Sequence, residues 1–187
     1  MTQASDRVRW TTEDLKLLPD SSSRYEIIDG HLLMTRAPHW KHQKAIGQAY
    51  QILNLWSISS QLGQTVPTPG IIFDDADNVI PDVIWMSHER LAAGVDEEGH
   101  FTIAPELIIE VLSPGTQNER RDRETKLKLY AERGVQEYWI LDWRLQQLEV
   151  YDRQDALLKL SATLFAQDTL TSRILPNFSC AVTEFFR

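Results

Sequence analysis

A glutamate stands inside the most apolar stretch of the chain, PELIIEVLSPG over residues 105–115. Side chains of an extended strand alternate between faces, so Glu106, Ile108, Glu110 and Leu112 share one side while Leu107, Ile109 and Val111 take the other. A run this apolar suits a central strand covered on both faces, where an unpaired ionised carboxylate is costly. Glu110 must therefore be paired, neutralised or bound to a metal. A second acid of interest is Asp82 in NVIPDVIWM, where Pro81 cannot donate to a ladder and so marks a strand start or a bulge. Each acid also has a plainer reading, Glu110 as the partner of a neighbouring arginine and Asp82 as a turn residue. Taken as a pair, they could bind a metal or act as acid and base without one.

The flanking segments say which elements would position these acids. TTEDLKLL opens with a threonine cap and early acidic residues, a short helix start. RYEIIDGHLLM has two apolar segments joined by Asp29-Gly30, which predicts a hairpin over 24–35. From Pro38 to about Leu62, Ala45, Ile46, Ala49, Ile52, Leu53 and Trp56 recur at helical spacing, and Gly63 is expected to end that helix. TVPTPGIIFDD and NVIPDVIWM read as strands around a polar turn that lacks the glycine and final glutamate of a calcium loop. After ELIIEVL, the charged NERRDRETKLKLYAERG is a helix stopped by Gly134, followed by the strands VQEYWILD and QLEVYDR and a further hairpin segment near 157–165. The crossover from ELIIEVL through that helix to EYWILD implies a parallel pair within a mixed sheet. The expected class is α/β or α+β, a mixed central sheet flanked by helices, in one domain over 1–187.

Composition narrows the chemistry. A net charge of −8 over 187 residues argues against nonspecific coating of nucleic acid, while leaving room for a local basic groove beside an acidic metal site. Cys180 is the single cysteine, so any metal would bind oxygen or imidazole. No uncharged segment approaches membrane-span length and the first twenty residues have no signal-peptide pattern, so a cytoplasmic protein without a membrane partner is expected.

Pro81-Asp82 on one strand and Glu110-Val111-Leu112 on the next resemble the PD-(D/E)XK nuclease superfamily, except that leucine stands where that pattern carries lysine. The run PELIIEVLSPGTQNERRDRETKLKLYAERGVQEYWILD, with RYEIIDG and PHWKHQ upstream, is more closely similar to the Uma-type family of restriction-endonuclease-like proteins, over roughly 12–152. In that family a lysine on the following helix takes the place of the strand lysine. Lys126 matches it better than Lys128, and a helical wheel puts Lys126 between Leu129 and Tyr130, near the inward side.

The resemblance implies a restriction-endonuclease-like fold that hydrolyses DNA phosphodiester bonds with Mg²⁺, Mn²⁺ being possible. Asp82 and Glu110 would bind the metal, and Lys126 would orient or activate a water or stabilise charge on the phosphate. Glu26 is a possible third acid, or simply a surface glutamate on the hairpin. His42 could contact phosphate or lie near the metal, or merely cap or pack, and His39 is a weaker candidate. Arg120, Arg121 and Arg123 could bind phosphates, although Glu119, Asp122 and Glu124 are interleaved with them as on a salt-bridged face. Tyr138, Trp139, Trp143 and Tyr151 suit either base stacking or a core. Such folds often pair to cut both strands, so a homodimer is an expectation. The competing expectations are an inactive binding module on the same fold and a metal-free hydrolase using Asp82 and Glu110.

Overall fold

In the computed structural model, which describes residues 8–19, 24–35 and 37–187, the chain reverses at Asp29-Gly30 with φ of 49° and 70°. Both residues sit in the left-handed region that a two-residue hairpin turn requires. They join β1 (Arg24–Ile28) to β2 (His31–Thr35) in antiparallel register. Ahead of them, Thr11 and Asp14 close a reciprocal capping box on the four-residue helix α1 (Thr12–Leu15).

Helix α2 (Trp40–Ser60) buries the expected stripe of Ala45, Ile46, Ala49 and Leu53, and with it His42 and Ser57. Its end differs from the expectation. Gln61, at φ 57°, is the left-handed cap, and Gly63 instead begins β3 (Gly63–Pro67). The glycine is needed for close approach, because a Cβ there would run into the Met86 carbonyl and the Trp85 ring.

The two long strands expected between 65 and 86 are four short ones: β3, β4 (Ile71–Asp74), β5 (Asp77–Val79) and β6 (Val83–Ser87). The chain breaks at Thr68-Pro69-Gly70 and again at Ile80-Pro81-Asp82, where prolines cannot extend a ladder. It thereby leaves one sheet for another and returns. After the short helix α3 (His88–Ala93) come β7 (Leu107–Val111), α4 (Thr116–Arg120), a π-helical segment (Arg121–Lys126) and α5 (Leu127–Arg133). Strands β8 (Glu137–Asp142), β9 (Gln147–Gln154) and β10 (Leu157–Phe165) follow, then β11 (Thr169–Thr171), β12 (Ser179–Ala181) and a terminal 3-10 turn (Val182–Phe186).

The central sheet has the order β10-β9-β8-β7-β6-β3, and its one parallel pair is β7 with β8, joined by the helical crossover. A second sheet, β2-β1-β5-β4, and the small β11-β12 pair complete the architecture. Alternate residues of β7 feed two cores. Leu107, Ile109 and Val111 pack with α2 and the C-terminal segment. Ile108 and Leu112 pack with Leu129 and Tyr130 of α5 and with Ile28, Ile71 and Val79 of the second sheet. Glu110 faces that second side, between the central sheet, the crossover and the β1–β2 hairpin. Tyr138 and Trp139 are fully buried and Tyr151 nearly so, which makes them core residues.

Gly63→Ala is expected to lower stability by ~1–3 kcal/mol through overpacking against β6. Urea denaturation checks this, and an unchanged midpoint would mean that the strand can shift to admit the methyl group.

Candidate active site

Strands β6 and β7 pair as Val83 with Ile109 and Ile84 with Ile108, so one step further along the register Asp82 stands across from Glu110. Asp82 is fixed by its own neighbour strand, Oδ2 accepting the Val111 N–H at 2.8 Å. His42 from α2 brings Nε2 to 3.7 Å of the same oxygen, and Arg24 from β1 lies 3.9 Å from Oδ1.

Glu110 meets the crossover helix. The Lys126 ammonium donates to Oε1 at 2.8 Å, and the Tyr130 hydroxyl, one turn further on, donates to the same oxygen at 2.8 Å. Lys126 also lies 3.0 Å from Oε1 of Glu26, which in turn accepts the Ile80 N–H at 2.9 Å. The hairpin glutamate is thus inside the cluster and only 4% exposed, not on the surface. Leu112 is wholly buried in the apolar core, so the cation beside Glu110 comes from the helix.

Three members were not singled out from sequence. Asp122 is 2% exposed and lines the same cavity. Arg24 and Tyr130 are the others. Each bears a periodic relation to a residue that was singled out: Asp122 precedes Lys126 by four in a helix, Tyr130 follows it by four, and Arg24 is two before Glu26 on a strand. The segment carrying Asp122 and Lys126 is a π-helix, a form that recurs at functional sites. The buried Tyr138 hydroxyl ties it to β8 by donating to the Asp122 carbonyl at 3.1 Å.

Of the remaining sequence candidates only Arg121 reaches the cavity. Lys128 is exposed and faces Glu132 at 3.6 Å. Arg120 pairs with Glu124 at 3.1 Å, and Arg123 pairs with Glu149 at 2.9 Å and Glu119 at 3.2 Å. Arg121 lines the cavity, 3.4 Å from Asp122 and 3.3 Å from the Thr35 hydroxyl.

Four carboxylates, Glu26, Asp82, Glu110 and Asp122, therefore surround a cavity of about 50 Å³. That is room for an ion or a few waters and too little for a nucleotide. Burial pushes Glu110 up to about 8, Asp82 and Asp122 adding to the effect against the opposing pull of Lys126. Burial likewise raises Asp82 and Asp122. At Glu26 the burial effect is outweighed by the Lys126 ammonium and the Ile80 N–H, so its carboxyl is lowered. Burial alone would pull Lys126 down, yet the facing carboxylates of Glu110, Glu26 and Asp122 hold it well above its usual range.

Among the described residues no three His, Cys, Asp or Glu side chains converge as a ready-made metal cage. Two opposed carboxylates, hard oxygen donors and a small cavity nonetheless fit Mg²⁺, which keeps several of its waters and binds through one or two carboxylates. Asp82 and Glu110 are the residues that would hold it.

A mixed sheet presenting two acids at the start of one strand and within the next, with a cation from the following helix, is a restriction-endonuclease-like architecture. A solved structure described as "a putative nuclease belonging to DUF820 from Anabaena variabilis" overlays it with a TM-score of 0.74 at 19% identity, covering 94% of this chain and 97% of that one. The type IIG restriction endonuclease BpuSI matches at a TM-score of 0.40 and 15% identity, over 81% of this chain and 16% of that enzyme. The family described as "Uma2: Putative restriction endonuclease" matches residues 12–183, and the chain belongs to it. No curated protein matches. Among the described residues no helix is long and apolar enough to cross a membrane.

Between its ordinary value of 4.5 and about 8, Glu110 keeps a proton in the folded protein that the unfolded chain releases, so its contribution to stability falls as pH rises through that window. Glu110→Gln removes the titration and keeps an acceptor for Lys126, so at pH 8 its thermal midpoint is expected to match or exceed that of the parent. If Glu110 served only as a structural ion-pair partner, the variant would instead lose ~3–5 kcal/mol.

Proposed function

We propose that this chain hydrolyses DNA phosphodiester bonds using a divalent cation, Mg²⁺ or Mn²⁺, held by Asp82 and Glu110, with Lys126 as the cationic group beside them. The observation that carries this reading is the juxtaposition of Asp82 and Glu110 across β6–β7 with the Lys126 amine 2.8 Å from Glu110. A bound divalent cation would polarise the phosphate and lower the pKa of an attacking water.

The chain's own groups have separable tasks. The Val111 N–H orients Asp82. Both side-chain donors to Glu110 address Oε1, so Oε2 is the oxygen with coordinating capacity left. Glu26 holds the Lys126 amine from the opposite side. Because Lys126 is kept protonated, it does not take a proton from water. It acts by stabilising charge that builds on the phosphate. His42 lines the cavity with Nε2 3.7 Å from Oδ2 of Asp82, which places it beside that acid.

A second reading, an inactive nucleic-acid-binding module, draws on the same contacts: Lys126 is closed between two carboxylates at 2.8 and 3.0 Å. Nicking of supercoiled plasmid separates the two. The hydrolase reading expects Mg²⁺- or Mn²⁺-dependent nicking that EDTA abolishes. Asp82→Ala should abolish it too, while Lys126→Ala should lower it by about 10²–10³-fold with metal binding retained. Plasmid left intact by wild-type protein that nevertheless binds DNA would favour the module.

Loading a cation must also displace the Glu110 proton. Calorimetry in buffers of different ionisation enthalpy should show proton release on Mg²⁺ binding at pH 7, with affinity rising from pH 6 towards about 8. Affinity that is flat over this range would remove Glu110 from the ligand set.

A further inference from the structure

Of the crossover-helix arginines only Arg121 reaches the cavity, where it faces Asp122, and the unengaged cations lie on α2 instead. Arg120 and Arg123 are engaged by carboxylates, whereas Lys41 and Lys44 on the first turns of α2 are exposed and have no ion-pair partner among the described residues. The first turn of α2 contains no acidic residue, so two ammonium groups sit at the positive end of a 21-residue helix. That arrangement is unfavourable until an anion arrives.

Aromatic rings occupy the same corner. Trp40 is 64% exposed. Its ring stacks at 5.9 Å and 28° on His39, which stacks at 4.9 Å and 6° on Trp143. The Lys41 ammonium lies 5.7 Å from the Trp40 ring and 6.0 Å from that of Trp143. The array is anchored at both ends of its base. His39 caps α2 by accepting the Lys41 N–H at 3.2 Å, and the Trp143 indole donates to the Leu112 carbonyl at 3.1 Å, two residues beyond Glu110. The nearby acids Asp142 and Glu119 are each paired with Arg144 at 2.8 Å, which leaves the lysines dominant.

The corner, whose Trp40, Lys41, Lys44 and Trp143 line a depression of their own, meets the approach to the acidic cavity at His39. Thr35, Ala37, Pro38 and Ser113 line both that cavity and an adjoining groove that reaches His39 and Asn118. Since the cavity cannot admit a nucleotide, a substrate strand must lie in the groove and offer its phosphate from there.

We propose that this aromatic and basic corner, Trp40, His39, Trp143, Lys41 and Lys44, is a platform for single-stranded DNA, stacking an unpaired base on Trp40 while the lysines hold flanking phosphates. It rests on the nuclease reading for the placement of the scissile phosphate. A row of rings with one face open to water offers π-stacking to any base that is already unstacked, and the lysines supply the sequence-independent attraction. A paired base in a duplex presents no free face to Trp40.

Fluorescence anisotropy with the full chain in EDTA, where no cleavage competes, tests the platform. Labelled single-stranded DNA should bind more tightly than the matching duplex and should quench tryptophan emission. Trp40→Ala should weaken single-strand binding roughly five- to a hundredfold with an unchanged thermal midpoint and unchanged Mg²⁺ uptake. Lys41→Ala with Lys44→Ala should reduce the steepness of log affinity against log salt by about 1.4, two phosphates' worth. Equal affinity for duplex, tighter binding of RNA of the same sequence, or wild-type affinity in both variants would overturn the platform. Plasmid nicking that persists alongside any of those results would leave the hydrolase reading standing. The expected binding losses in a protein that cuts nothing would support the platform and sink the hydrolase.

Discussion

A fully buried lysine determines the arrangement around the site. Lys126 is 2% exposed, and an ammonium in such a place is tolerable only with carboxylates against it. Glu26, with its carboxyl lowered, supplies the charge from the second sheet and Glu110 an acceptor oxygen from the central sheet, so the ammonium joins two sheets and the crossover helix at one point. The Ile80 N–H that Glu26 accepts lies in the segment where the chain crosses between the sheets, just ahead of Pro81 and Asp82. Moving any one of these elements would strand a charge in the interior.

The apolar packing serves the same end through the alternation of β7. Its odd-numbered residues hold α2 against one face of the sheet, which brings His42 up to Asp82. Ile108 of β7 and Leu112 just past its end hold α5 and the second sheet, with Glu110 between them in sequence and facing the same way. A leucine at 112 is then a requirement of packing, because the side that would have carried a lysine amine is filled by Leu129 and Tyr130. The amine reaches Glu110 from a helix instead, and the tyrosine that helps fill the space donates to the same carboxylate oxygen.

Much of this was legible in the residues. Strand alternation assigned Glu110 a face, the Asp29-Gly30 pair located the hairpin, and the helical wheel turned Lys126 inward. The family resemblance chose Lys126 over Lys128, and the structure separates them into a buried and an exposed position. What stayed hidden has physical reasons. The π-helical segment leaves no mark in a charged stretch whose residue types suit an ordinary helix, so Asp122 looked like one more surface acid. Pro81 signalled a strand start or a bulge but not that the chain exchanges sheets there, and TVPTPGIIFDD read as one strand although it breaks at Pro69. Gly63 looked like a helix stop, because the close approach of β6 that requires it involves residues more than twenty positions away. Glu26 could not be placed because its partner lies on an element far along the chain.

The electrostatics leave one incompatibility for a ligand to resolve. Four buried carboxylates around one small cavity would repel the phosphate of any nucleic acid approaching through the groove, in a protein whose net charge is already −8. Lys126 cannot offset this by itself, since its charge is already shared between Glu110 and Glu26. Burial raises all three of Asp82, Glu110 and Asp122, and at Glu110, pushed up to about 8, the proton lowers the negative charge but occupies an oxygen that would bind an ion. A divalent cation would remove both difficulties at once, displacing the Glu110 proton and turning a surface repulsive to phosphate into an attractive one. On these grounds a phosphate would enter the acidic cavity itself only with the cation, whereas the outer corner around Trp40, Lys41 and Lys44 needs no ion to hold a strand.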